Sequence, residues 1–150
     1  MTATELTRRV DVRAPPETVF AAATDWERQG EWILGTTVRI LQGDGRSVGS
    51  EVEAVTGVRG IGFADSMRIT VWEAPLRCEV LHTGRVVRGV GIFEVRPRGR
   101  DAATFEWTER LELPWGALGR LGWTLIHPVF GGGLQLSLNR FADFCRTYPR

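Results

Sequence analysis

The apolar residues of this 150-residue chain change period twice, and that pattern leaves few folds open. Between residues 37 and 113 apolar and polar side chains alternate, as they do along strands with one buried face, and turn residues punctuate the alternation. After Pro114 the spacing becomes helical. Leu118, Leu121, Leu125 and Val129, then Leu134, Leu138, Phe141 and Cys145, lie three or four residues apart, so one apolar stripe is expected along the whole terminal segment. Pro128 removes one backbone bond, and Gly131, Gly132 and Gly133 each weaken a helix by about 1 kcal/mol relative to Ala, which predicts a kink there.

Turn signals divide the chain further. An alternating stretch at residues 6–13 (Leu6, Arg8, Val10, Val12) reads as a first strand, halted by Pro15 and Pro16. A short helix follows, with Glu17 in its first turn and Val19, Phe20 and Ala23 on its buried face, ending near Asp25. A second helical turn is expected over residues 26–32. Six more strands are read at 37–41, 48–58, 63–72, 77–83, 87–96 and 103–113. Gly43-Asp44-Gly45, a loop on Gly60 and Gly62, Pro75, Gly84 and Pro97-Arg98-Gly99 separate them. The class is α+β: a seven-stranded curved antiparallel sheet around a long C-terminal helix, with two short helices between strands 1 and 2.

Composition sets outer limits. The length suits one domain, residues 1–150, and 43% hydrophobic with 25% charged residues is the balance of a folded globular chain. All nineteen basic residues are Arg, so a Schiff-base lysine, a lysine general base and a P-loop lysine are excluded in any fold. Net charge is +1, and the arginines are scattered among acids, which argues against a nucleic-acid surface. Two cysteines, Cys78 and Cys145, and two histidines, His82 and His127, offer no metal-ligand spacing, so neither metal nor cofactor is expected. Gly57 to Gly62 has the wrong spacing and context for a dinucleotide fingerprint. The polar N-terminus reads as no signal peptide, and a bacterial cytoplasmic protein, monomer or homodimer, is the expectation. Residues 121–139 carry no formal charge, but His127, Pro128, the glycines, Gln135 and Asn139 favour a buried helix over membrane contact.

Several short segments carry a family likeness. Val10-Asp11-Val12-Arg13-Ala14-Pro15-Pro16-Glu17-Thr18-Val19-Phe20, Asp25 with Trp32 beyond it, Val48-Gly49, Glu73-Ala74-Pro75, Gly91-Ile92-Phe93 and Thr104-Phe105-Glu106-Trp107 stand in order along nearly the whole chain. In that order the sequence resembles the polyketide cyclase/dehydrase-like branch of the START-like (SRPBCC) superfamily. The resemblance implies a helix-grip fold enclosing a cavity. It implies no single activity, since members are carriers, cyclases, aromatases, lyases and protein-binding modules.

Strand parity identifies the lining of such a cavity. Phe63, Asp65, Met67, Ile69 and Val71 share one face of the fourth strand; Cys78, Val80 and His82 share one face of the fifth. Gly89, Gly91, Phe93 and Val95 follow in the sixth, and Phe105, Trp107, Glu109, Leu111 and Leu113 in the seventh. Inward glycines either leave a hollow or permit close backbone packing, and the family likeness favours the hollow. Asp65, His82 and Glu109 fall among apolar inward positions, where an unpaired charge is too costly to persist, so they are the candidate catalytic groups. Trp32, Phe63, Met67, Ile69, Val80, Gly91, Phe93, Phe105, Trp107, Leu111, Leu125, Phe130 and Leu134 are the candidate ligand contacts. Trp26, Trp32 and Trp115 are expected to pack the short helices and the sheet-to-helix corner, Trp32 also bordering a pocket mouth. Cys78 is expected to be an inert hydrophobe, and the loop around Gly60 to form a lid.

Three functions fit. The first is a binding protein for an apolar or aromatic small molecule such as a polyketide, lipid or sterol-like metabolite. The second is a cyclase or dehydratase in which His82 works with Glu109 or Asp65 as acid and base. The third is a protein-interaction or regulatory module.

Overall fold

Proline and glycine set the element boundaries. The computed structural model describes residues 2–58, 61–85, 87–113 and 116–149. Strand β1 (Thr2–Val12) is followed by helix α1 (Pro16–Ala23), with Pro16 in its first turn, where its missing N–H would have had no partner. A 3₁₀ turn, Trp26–Glu31, then leads into β2 (Thr36–Gln42). Asp25 precedes that turn without capping it and instead accepts a 2.7 Å hydrogen bond from the Tyr148 hydroxyl, which pins the far end of the chain.

The remaining strands form a meander: β3 (Glu51–Val58), β4 (Ile61–Glu73), β5 (Arg77–His82), β6 (Gly89–Pro97) and β7 (Ala103–Leu113). One antiparallel sheet in the order β1-β7-β6-β5-β4-β3-β2 results, so β1 and β2 are its two edges and α1 with the 3₁₀ turn spans between them. Outward positions pair Arg with Glu across strands, as in Arg39–Glu53, Arg68–Glu51, Arg110–Glu5 and Arg77–Glu94. The expected scatter of arginine among acids is therefore a cross-strand ladder in water, each exposed pair contributing little.

Helix α2 (Gly116–Thr147) runs as one helix through Pro128 and the three glycines. Its two halves differ. Leu134, Leu138, Phe141, Phe144 and Cys145 are buried, whereas Leu118, Leu121, Leu125 and Val129 are exposed, Leu125 by 72%. The expected continuous stripe is thus correct in its second half only, because β1, β7 and α1 cover the C-terminal half. Around Phe141 and Leu138 lies an aromatic nest. The Trp32 ring centroid is 4.7 Å from that of Phe141, and Phe105 is 4.5 Å from Phe141. The Trp32 indole N–H is the one buried side-chain polar atom among the described residues without a hydrogen-bond partner.

Three sequence expectations are corrected by the backbone. β3 starts at Glu51 and not at Val48, because residues 43–50 form a longer connection organised by Asp44, whose Oδ1 accepts from the Arg46 amide and the Ser47 hydroxyl at 2.8 Å each. A bulge between Ile69 and Val71 shifts the β4–β5 register, so Trp72, opposite Cys78, turns inward against Phe20, and Val71, opposite Glu79, turns out. β4 starts at Ile61 and not at Phe63, since Gly57 pairs with Gly62 and Val58 with Ile61; residues 59 and 60, on which the expected lid falls, lie outside the described residues, as does Trp115.

The two halves of α2 make opposite predictions in urea unfolding. Phe141→Ala is expected to destabilise by about 3–5 kcal/mol, and Leu125→Ala to stay within about 0.5 kcal/mol of the parent.

Candidate active site in the sheet cavity

A cavity of about 370 Å³ lies between the concave sheet face and the middle of α2. Most of its wall is apolar, from Val38, Ala54, Met67, Val80, Phe93, Trp107 and Leu134, among others. Phe63, Val87 and Val129 line it and also reach solvent, which places its mouth between the β3–β4 and β5–β6 turns and the exposed half of α2. Two glycines act differently here. Gly89 has φ +129°, and a Cβ there would lie 2.0 Å from the Arg110 carbonyl oxygen, so the backbone requires glycine. A Cβ on Gly91 would meet Val80 at 3.1 Å and Glu109 Oε1 at 3.2 Å, so this glycine leaves room for the Glu109 carboxylate.

Asp65, His82 and Glu109 come together on the wall formed by β4, β5 and β7. His82 Nδ1 is 2.9 Å from Asp65 Oδ1, and His82 Nε2 is 2.9 Å from Glu109 Oε2. The indole N–H of Trp107 donates to Glu109 Oε1 at 2.8 Å. The imidazole is only 7% exposed and Glu109 8%. The register makes this possible: Met67 pairs with His82, and Val80 and Glu109 both sit opposite Gly91, which brings three inward positions from separate strands into reach.

Burial alone would depress the imidazole pKa. The hydrogen bonds and charges of Asp65 and Glu109 outweigh that effect and raise it to about 10. Two nitrogen-to-oxygen contacts require two hydrogens between the three groups, so the cluster is a carboxylate–imidazolium–carboxylate with a net charge of −1. Moving a bridging proton onto a carboxyl leaves that total unchanged. Cys78 also lines the cavity, but desolvation pushes its thiol up to about 12, which fits the expected inert role.

The other expected contacts divide cleanly. Phe63, Met67, Val80, Gly91, Phe93, Trp107, Leu111, Phe130 and Leu134 line the cavity. Ile69 and Phe105, both fully buried, and Trp32 sit in the core behind it, so inward parity placed them on the right face but not at the wall. Leu125 is exposed on the uncovered half of α2 and does not reach the cavity. Sequence reading missed the wall contributed by Gln29, Ile33, Leu34, Val38, Ala54, Thr56 and Ser137. The alternation of Val38 with Arg39 and of Ala54 with Glu53 carried the signal for two of these. Among the described residues no group of His, Cys, Asp and Glu could hold a metal ion, and no helix is long and apolar enough to cross a membrane.

Comparison with known proteins places this architecture. Residues 3–145 match the family described as polyketide cyclase / dehydrase and lipid transport. No curated protein sequence matches. Among solved structures, a protein from Thermus thermophilus has 16% identity and a TM-score of 0.79, over 95% of this chain and 97% of that one. The Zhui aromatase/cyclase from a Streptomyces species has 15% identity and a TM-score of 0.76, over 97% and 94%. Norcoclaurine synthase from Thalictrum flavum, in complex with dopamine and hydroxybenzaldehyde, has 11% identity and a TM-score of 0.72, over 99% and 90%. At these identities the likeness shows the shared helix-grip fold.

The raised imidazole pKa makes stability depend on pH. Because the folded value lies above the ordinary 6.5, the contribution of His82 is complete below pH 6.5 and is lost as pH rises through about 10. Between pH 6.5 and about 8, below the range in which the cysteines of the unfolded chain titrate, the unfolding free energy should fall by up to about 1.4 kcal/mol per pH unit. Urea unfolding across that range checks this. A flat profile, or the same decline in His82→Gln, would contradict it.

Proposed function

The chain belongs to the polyketide cyclase / dehydrase and lipid transport family, and from that premise we propose that it binds an apolar or aromatic small molecule between the sheet and α2. Asp65, His82 and Glu109 then orient the guest's polar end. The observation that carries this reading is the pairing of a roomy, mostly apolar wall with one charged cluster, the usual composition of a small-molecule site. Nile red, a neutral dye sensitive to its surroundings, should saturate one site with a blue-shifted emission. Ala54→Phe, which places a ring in the cavity from β3, should weaken that binding by at least about tenfold while the protein still unfolds cooperatively. Equal dye binding by parent and variant would contradict the proposal.

A second reading, acid–base catalysis of cyclisation or dehydration, is favoured by the charge cluster itself. A buried ion cluster rarely stabilises a fold better than apolar side chains of the same volume, so its retention suits chemistry. Both imidazole nitrogens are already engaged, so a carboxylate oxygen of Asp65 or Glu109 is the base that takes the proton of a C–H beside a carbonyl and holds it as a carboxylic acid, while the protonated His82 offsets the charge of the other carboxylate. Glu109→Gln should then lower turnover of a polyketone substrate by about 10²–10⁴-fold with little change in fold. Unchanged rates in both Glu109→Gln and His82→Ala would remove this mechanism.

A further inference from the structure

We propose that the guest this cavity selects carries a protonated amine on its apolar body, and that carboxylate-bearing guests are rejected. This rests on the binding reading above and adds the charge of the ligand. The first argument is a count of donors. His82 places one ring nitrogen on Asp65 Oδ1 and the other on Glu109 Oε2, and the Trp107 N–H is spent on Glu109 Oε1. Every hydrogen the cluster owns is used within it. What remains for a guest is acceptor capacity, above all Asp65 Oδ2, which takes no hydrogen bond from the described residues. A polar group that meets the cluster must bring hydrogens, as an ammonium does and a carboxylate does not.

The second argument is charge. Two carboxylates and one imidazole joined by two hydrogens total −1, and among the described residues the cavity wall holds no arginine to offset it. Arg8, opposite Trp107 in the β1–β7 ladder, does not line the cavity. Its guanidinium bonds the Thr7 carbonyl and packs against Gly131 of α2, where a Cβ would fall 2.5 Å from Nη2. Within apolar walls an uncompensated negative charge repels anions and attracts cations far more strongly than in water. Trp26, Phe93 and Trp107 also line the cavity, so the apolar body of the guest meets aromatic side chains.

Three probes that share one apolar body separate these effects: decylamine, decanol and decanoic acid, titrated calorimetrically into the intact protein at neutral pH below their micelle concentrations. Decylamine is expected to bind at least about tenfold more tightly than decanol, and decanoic acid more weakly than decanol. In the double variant Asp65→Asn, Glu109→Gln the amine's advantage should shrink to within about twofold while decanol binding persists. The single variant Asp65→Asn, with a smaller loss in the same direction, gives the same answer if the double variant does not fold. Decanol binding as tightly as decylamine, or decanoic acid binding best, would overturn the charge assignment and leave the binding reading standing. If neither Nile red nor any of the three probes binds, the binding reading falls and this inference with it.

Discussion

Two hydrogens shared among three side chains decide what the interior of this protein can do. The 2.9 Å contacts on both ring nitrogens of His82 fix the imidazole's orientation, keep it charged and tie β5 to β4 on one side and, across β6, to β7 on the other. They also consume the cluster's donors, so the polar end of the cavity presents acceptor oxygens and a net negative charge. Neither property belongs to any of the three residues alone.

Such a cluster is expensive to bury, and the fold offsets it elsewhere. Desolvating three ionised groups costs several kcal/mol each before their mutual attraction is counted. At the other end of the concave face Trp32, Phe93, Phe105, Trp107 and Phe141 form a chain of ring contacts at 4.5–6.3 Å, and the C-terminal half of α2 seals it. The interior thus divides into a packed aromatic end, which supplies stability, and an open end beneath the middle of α2. Trp107 belongs to both: its ring packs against Trp32 and Phe93 while its N–H holds Glu109. Steric room for that carboxylate comes from Gly91, the residue opposite it on β6.

Much of this was legible in the sequence, for physical reasons that differ by element. Asp65, His82 and Glu109 share an inward parity because the period-two alternation is unbroken as far as each of them, and the family likeness supplied the order of strands. Val71 was misread because a bulge after Ile69 is a backbone event that leaves no mark in the alternation. Ile69 and Phe105 show that parity gives the face of a strand but not depth along it. Leu125 failed for another reason. A helical stripe records what a helix could bury, and here the covering strands and α1 reach only its C-terminal half. The hydrogen bonds of the cluster could not be read at all, since they depend on register between strands distant in sequence.

The charge state of His82 is the claim on which the rest hangs, and nitrogen NMR of the imidazole side chain reads it directly. In the parent protein at pH 7 both ring nitrogens should carry hydrogen, and the ring should titrate near pH 10. A titration near the ordinary 6.5 would contradict the shared-hydrogen cluster.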